Sequence, residues 1–308
     1  GGTIMSKFEA IYEQAKLFES KAVIAVVVPD LRSLEAVKRA EELGLASAAF
    51  FMTTTTDQEI LDRVRESQYP YYVLDSAEEA ADYAVSATAA GECQMLMKGN
   101  LDTSILLRAV LKKDSGLTTG KLLTHVGWLD MPSYHKLFIL TDGGMIPYPS
   151  LEQKEQILQH AVRCAQKMGV AEPKVAVLAA SEKVNPKLKE STDAAFLKDQ
   201  SLEGKYGNCI VEGPISFDLA YVPAAAAIKG YLSPVAGDAD ILLLPDLVSG
   251  NILAKALAFG GGGAMGGLIV GAEVPILLIS RSASAQEVMN SIALGTVMAQ
   301  SPEEREER

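Results

Sequence analysis

Short apolar runs rich in branched residues alternate with amphipathic helical patterns along most of this chain, and that alternation restricts its folds more than any other feature. The first pairs are Ala22 to Val28 then Ser33 to Leu43, Ala48 to Phe51 then Asp57 to Glu66, and Tyr71 to Leu74 then Ala77 to Ser86. Parallel strands need a crossover connection, usually a helix, so repeated βα units predict an α/β fold with a parallel sheet covered on both faces. Met95 to Met97 reads as the next strand, Lys98-Gly99-Asn100 as a turn, and Asp102 to Lys112 as a helix with Leu106, Leu107 and Val110 inward. Leu122 to Val126 and Leu137 to Thr141 read as two more strands.

The pattern breaks at Gly143-Gly144, Pro147 and Pro149, which marks a domain crossing before the helix Leu151 to Met168. A second βα series follows, with strands at Lys174 to Ala179, Cys209 to Glu212, Ile241 to Pro245, Gly267 to Val270 and Ile276 to Ile279. The last helix, Ser284 to Met298, is expected to return to the first domain, because chain termini often lie together. The expected domains are 5–145 plus 284–308, and 146–283.

A length of 308 residues with 48% hydrophobic content permits a large core and suits two domains. The most apolar runs are short and bounded by Pro, Asp or Gly, so they read as buried strands, and no membrane partner is expected. A net charge of −11 without any Lys/Arg-rich run argues against nucleic acid as a partner. Cys93, Cys164 and Cys209 lack CxxC or Cys/His spacing, so they read as free thiols rather than a disulfide framework or metal site. Gly1 to Ile4 precede Met5 and read as an expression scar without a signal-peptide pattern, which makes the cytoplasm the expected location. Glu303 to Arg308 reads as a solvated tail.

Three stretches invite chemistry. Ile276 to Ile279 leads through Ser280-Arg281 to a helix start at Ser284, which groups a hydroxyl, a guanidinium and the Glu287 carboxylate near helix N–H groups suited to an anion. Lys98-Gly99-Asn100-Leu101-Asp102-Thr103 is a strand-to-helix turn: Gly99 allows close backbone approach and Lys98 can meet a phosphate, or the stretch is ordinary turn and cap chemistry with Asp102 or Thr103 as N-cap. The glycine run Gly260 to Gly263 follows a helix pattern and precedes a strand, the reverse of a dinucleotide fingerprint, so it reads as a helix C-terminal connection. His125, His135 and His160 have no partner at helical spacing and read as structural or surface residues.

Ser233-Pro234-Val235-Ala236-Gly237 with Asp240 to Asp246 and Ser249-Gly250-Asn251 resembles the phosphate acetyl/butyryltransferase family. The likeness extends through Gly271-Ala272-Glu273-Val274-Pro275 and Ser280-Arg281, and in the first half through Met97-Lys98-Gly99-Asn100, Asp102-Thr103, Leu106-Leu107-Arg108 and Thr141-Asp142. The Met-Lys-Gly-Asn start resembles the butyryl branch more than the acetyl branch. The resemblance implies two three-layer α/β/α domains of the isocitrate/isopropylmalate dehydrogenase type with the active site between them, in a homodimer. It also implies transfer of an acyl group between coenzyme A and phosphate, with acyl-CoA and phosphate as substrates and no bound metal or cofactor.

By the same resemblance, Ser280 and Arg281 sit at the phosphate, Arg108 is a second guanidinium from the facing domain, and Glu287 falls where a carboxylate serves as base for the CoA thiol. Glu287 is also the last residue of a Ser284-x-x-Glu287 capping box, so cap and base both stand as its role. A further arginine of the acetyl branch has no counterpart, and Lys98 is its candidate substitute. Lys98, Gly99, Asn100, Asp102, Thr103, Thr141, Asp142, Gly143, Gly250 and Asn251 are the expected substrate contacts. Where the family tends to read Thr-Asp-Ala-Ala-Met-Asn, this chain has Thr141-Asp142-Gly143-Gly144-Met145-Ile146, which is either room for a longer or branched acyl chain or neutral loop drift. The leading reading is a butyryl-CoA phosphate acyltransferase. Phosphate acetyltransferase and a CoA-binding homologue with lost or altered activity are the alternatives, while a metal-dependent dehydrogenase would need a carboxylate cluster that the sequence lacks.

Overall fold

The computed structural model describes residues 6–300, so the expected scar at 1–4 and the tail at 303–308 lie outside the described residues. The chain forms two compact units. Of the described residues, the terminal unit comprises Glu9–Lys121 and 266–300, and the central unit comprises Leu122–Met265 and 6–8. Both borders differ from the sequence expectation, which put the crossings after residues 145 and 283.

The terminal unit begins with α1 (Glu9–Lys16), β1 (Ala22–Val27), α2 (Leu31–Glu42), β2 (Ala46–Thr53), α3 (Gln58–Glu66), β3 (Tyr71–Leu74), α4 (Ala77–Ala89), β4 (Met95–Lys98) and α5 (Thr103–Leu111). The central unit holds β5 (Thr124–Asp130), β6 (Phe138–Thr141), α6 (Leu151–Lys167), β7 (Lys174–Leu178), α7 (Lys189–Leu202), β8 (Ile210–Ile215), α8 (Phe217–Tyr221), α9 (Pro223–Lys229), β9 (Ile241–Leu243) and α10 (Leu247–Lys255), which continues as a π-helical turn over Ala256–Gly260. The chain then runs through β10 (Ala264–Val270), β11 (Ile276–Leu277) and α11 (Ala285–Gln300).

In the terminal unit the strands run β3-β2-β1-β4-β11-β10. Every pair from β3 to β11 is parallel, and β10 is antiparallel to β11. β1 lies at the centre, with Ile24, Ala25, Val26 and Val27 all 0% exposed, which explains its continuous rather than alternating apolar sequence. α11 packs within this unit: Tyr12 Oη on α1 and Gln286 Nε2 both donate to the buried Asn290 Oδ1, each at 2.9 Å. Helix α2 starts at a reciprocal cap, in which Ser33 N donates to Asp30 Oδ1 at 2.8 Å and Asp30 N to Ser33 Oγ at 2.9 Å.

The central unit orders its strands β5-β6-β9-β7-β8. β5 and β6 are antiparallel, a departure from the expected parallel arrangement. The residues joining them, Met131 to Leu137, contain no helix to serve as a crossover, so the chain turns back on itself. Because β6 pairs with β9, the hairpin belongs with the strands that follow it, and the unit border falls before Leu122. Within the glycine run after the π-helical turn, Gly263 packs tightly: a Cβ there would stand 2.3 Å from Met131 Sδ. Among the described residues no helix is long and apolar enough to cross a membrane.

Candidate active site

Ser280 and Arg281 lie further from the sheet than the sequence implies, because β11 ends at Leu277 and α11 begins only at Ala285. Both are exposed. Their connection is closed by local bonds: Ala283 N donates to Ser280 O at 3.1 Å, Ser282 N to Ser280 Oγ at 3.3 Å, and the Ser280 and Ser282 hydroxyls share a bond of 3.0 Å. Arg32, in the first turn of α2, fastens this segment from outside by donating from Nη1 to Ser280 O at 2.9 Å and to Arg281 O at 3.4 Å. Arg32 was absent from the sequence expectation. The only signal for it was position, since β1 leads into α2 as β4 leads into α5, and parallel strands bring such turns to one edge.

Lys98 ends β4, and with Asp30, Arg32, Ser33, Met97, Ile279 and Val288 it lines a small recess. Burial, then the nearby Arg281 charge and in lesser part Arg32, push the Lys98 ammonium below its ordinary pKa, with Asp30 and Asp102 acting the other way. Among the described residues Arg281 is held in no ion pair. Lys98, Arg281 and Arg32 thus gather close enough to act on one another, and among the described residues none of them is held in an ion pair, so all three can turn to a bound dianion.

The neighbouring Gly99 has a backbone reason to be glycine. A Cβ there would sit 2.1 Å from Val28 O, and that carbonyl accepts from Asn100 N at 2.6 Å. Val28 itself has φ +50°, an uncommon conformation for a β-branched residue. Asp102 occupies the N-cap position of α5, yet its carboxylate makes no cap hydrogen bond. Asn100, Thr103 and Arg108 are exposed. Arg108, on α5, lies in the same unit as Arg281; the expected grip by guanidiniums from two different domains is thus corrected, because β11 pairs with β4 and carries Arg281 into the terminal unit.

Glu287 is tied to its own helix start. Its N–H donates to Ser284 Oγ at 3.1 Å, which makes the Ser284 half of the expected capping box. Burial raises its pKa above the usual carboxylate value, opposed by the Arg32 charge and the Ser284 bond. A half-buried carboxyl with a raised pKa is a better proton acceptor for a thiol than an ordinary one.

The other expected contacts belong to the central unit. Thr141 is fully buried and donates from Oγ1 to His125 O at 2.8 Å. Asp142, 3% exposed, accepts from His125 N at 2.9 Å, Gly144 N at 2.8 Å and Met145 N at 2.7 Å, so both oxygens shape the turn. Asn251 Nδ2 donates to Gly143 O at 3.1 Å. The space expected beside Gly143 and Gly144 is already filled: a Cβ on Gly143 would lie 3.0 Å from Gly250 C, and one on Gly144 2.9 Å from His125 Cγ. Gly250 matches in reverse, its Cβ falling 2.9 Å from Asp142 O. These glycines let the β6 turn lie directly on the first turn of α10.

Outside these two clusters, His135 pairs with Asp238 at 2.6 Å and His160 Nδ1 bonds Thr124 Oγ1 at 2.9 Å. Among the described residues no group of His, Cys, Asp or Glu is placed to hold a metal ion.

The family profile described as phosphate acetyl/butaryl transferase matches residues 61–296. The chain belongs to this family. It is 35% identical to phosphate butyryltransferase of Clostridium acetobutylicum over 96% of this chain and 99% of that one. It is 38% identical to phosphate acetyltransferase of Thermotoga maritima over 94% and 99%. A branched-chain phosphotransacylase from Enterococcus faecalis superposes with TM-score 0.82 at 32% identity, covering 91% of this chain and all (100%) of that one. A 4-hydroxythreonine-4-phosphate dehydrogenase from Salmonella typhimurium shares the α/β fold alone, at 14% identity and TM-score 0.55. In this chain the Ser280-Arg281 segment, held by Arg32, and Lys98 at the end of β4 form one cationic cluster.

Proposed function

We propose that the protein is a phosphate acyltransferase that interconverts a short acyl-CoA plus phosphate with acyl phosphate plus CoA, with butyryl-CoA as the favoured substrate. The observation that carries this reading is that Lys98 and Arg32 line one recess, with Arg281 close enough to Lys98, and the half-buried Glu287 close enough to Arg32, to perturb each other's charges. The cations hold the phosphate dianion, with Arg281 and the Ser280 hydroxyl donating to its oxygens; Asn100, Asp102, Thr103 and Arg108 lie at the rim of the same unit and contact CoA. In the direction that makes acyl-CoA, Glu287 takes the thiol proton and the thiolate sulfur attacks the acyl carbonyl carbon. The C–S bond forms, the C–O bond to phosphate breaks, and the departing phosphate keeps that electron pair on its oxygen, where the guanidinium stabilises it. The reverse direction returns the proton from Glu287 to the leaving thiolate.

Of the residues expected to contact acyl-CoA in the central unit, partly exposed Asn251 is the one able to do so, while buried Thr141, Asp142, Gly143 and Gly250 shape the turn it is bonded to, and the units are the three-layer α/β/α domains expected from the resemblance. The enzyme works in the cytoplasm as a homodimer, with no bound cofactor. Release of CoA from butyryl-CoA in the presence of phosphate tests the activity; no turnover with any straight or branched acyl chain from acetyl to valeryl overturns it. A preference for acetyl-CoA is the second reading, favoured by the 38% identity to the Thermotoga acetyltransferase, and the same assay ranks the two by kcat/KM.

A further inference from the structure

His125, on β5 in the central unit, is the one expected bystander whose surroundings do not explain it. Its main chain is committed, the N–H to Asp142 Oδ2 and the carbonyl to Thr141 Oγ1. Its ring packs against Gly144, where a Cβ has no room, and within ordinary contact distance of Gly127. A Cβ on Gly144 would stand 2.9 Å from Cγ and 3.1 Å from Cδ2, and one on Gly127 would stand 3.4 Å from Cε1. Nδ1 is buried and has no hydrogen-bond partner. Nε2 makes no hydrogen bond among the described residues either, and it is not among the buried unpartnered atoms of this partly exposed residue, so it is the ring nitrogen with access to solvent.

The tautomer follows from these facts. Burial pushes the imidazole pKa down, against the pull of the Asp142 charge, so the ring is neutral near pH 7. An orphaned N–H is rarer in buried sites than an under-used acceptor, so the single proton belongs on Nε2 and Nδ1 keeps a bare lone pair. The outcome is a fixed, uncharged N–H donor held against the Asp142–Met145 turn.

We infer that His125 is a binding residue that donates from Nε2 to an uncharged carbonyl oxygen of the acyl-CoA. This rests on the acyltransferase reading. An anion is a poor fit here, since the Thr141–Ser150 stretch and the Asp246–Asn251 start of α10 contain no Lys or Arg, and the nearest charge to the ring is the Asp142 carboxylate. Half-buried Met145 and Ile146 follow directly after Gly144, against which the ring packs, and a neutral donor there suits a carbonyl flanked by methylenes. Two carbonyl types share that chemistry, the thioester and the pantetheine amides, and CoA carries only the second.

The test is nitrogen-15 NMR of the imidazole in the full-length protein, with His125→Phe assigning the resonance among three histidines. The expected free state is the Nε2–H tautomer. Butyryl-CoA should shift the Nε2 signal and inorganic phosphate alone should not; a shift with CoA as well assigns the bond to an amide, and a shift with butyryl-CoA only assigns it to the thioester. In kinetics, His125→Phe should raise KM for the acyl-CoA about tenfold with KM for phosphate unchanged, and His125→Gln, which places an amide N–H near the Nε2 position, should recover part of the loss. An Nδ1–H tautomer, an unmoved signal with both CoA species, or an unchanged KM in a folded His125→Phe variant overturns the inference. If the Phe variant does not fold, the wild-type spectra decide. Lack of all turnover would instead remove the activity reading, while the tautomer and the binding shifts would still be read.

Discussion

The Lys98–Asn100 turn of the terminal unit and the Asp142–Gly144 turn of the central unit look alike in sequence, each a charged residue followed by glycine at the end of a strand, yet their charges are treated in opposite ways. Asp142 is buried with both oxygens bonded to backbone N–H groups, so its charge is consumed in holding the turn. Lys98 donates only to the adjacent Gly99 O at 3.2 Å and sits close enough to Arg281 to be perturbed by it. A saturated charge makes structure, whereas a cluster of cations held in no ion pair can take up an opposite charge.

Breaking the unsaturated cluster should therefore cost activity far more than stability. Replacing Arg281 with Ala should lower kcat about 100- to 1,000-fold, the usual loss for a donor aimed at developing charge, with Tm nearly unchanged. Equal losses in Tm and kcat would place Arg281 among the structural residues. The glycine beside Lys98 should behave in the opposite way. Gly99→Ala drives a Cβ to 2.1 Å from Val28 O and should destabilise by about 3 kcal/mol in denaturant unfolding. At the saturated turn, Asp142→Asn turns an amide N–H₂ toward backbone donors and should cost about 2 kcal/mol, read in the same experiment.

Glu287 shares both characters, and two substitutions divide them. Glu287→Gln keeps the cap and removes the base, so kcat should fall by about 100-fold or more while the helix start survives. Glu287→Ala should lose about 1 kcal/mol in addition. The pH dependence has a definite sign. The folded pKa is raised, so the protonated carboxyl is favoured in the folded state, and its stabilisation is complete below the unfolded carboxylate value and lost as pH rises through the folded one. The Tm advantage of Glu287→Gln over the wild type should thus be largest near neutral pH, shrink as pH falls through the raised folded pKa, and be gone below the unfolded carboxylate value. A gap that widens toward acid would contradict the burial argument.

Much of the fold was legible because its strands are buried on both faces and its helices are amphipathic. Tyr71–Leu74 was placed to the residue, and β1, β4, β6 and α6 to within one or two. The β5–β6 hairpin was misjudged because antiparallel and parallel strands share one apolar pattern, and only the connection and the partner strand distinguish them. The same omission moved both unit borders. In the site, Lys98, Ser280 and Arg281 were visible as charged or hydroxyl residues on strand-to-helix turns, and Arg32 was not, because an arginine in the first turn of a helix ordinarily reads as solvated surface.

Alone, then, the sequence determined the βα alternation, the family, and the residue types able to hold phosphate and move a thiol proton, since these follow from local periodicity and side-chain chemistry. The tertiary structure decided which of those charges are saturated and which are left to act. It put Arg108 and Arg281 in one unit, closed the space at Gly143 and Gly144 with the α10 backbone and the His125 ring, and gave that ring one buried and one open nitrogen. The reason is physical: a side chain's charge and shape are written in the chain, but its partners and its access to water depend on segments far away in sequence.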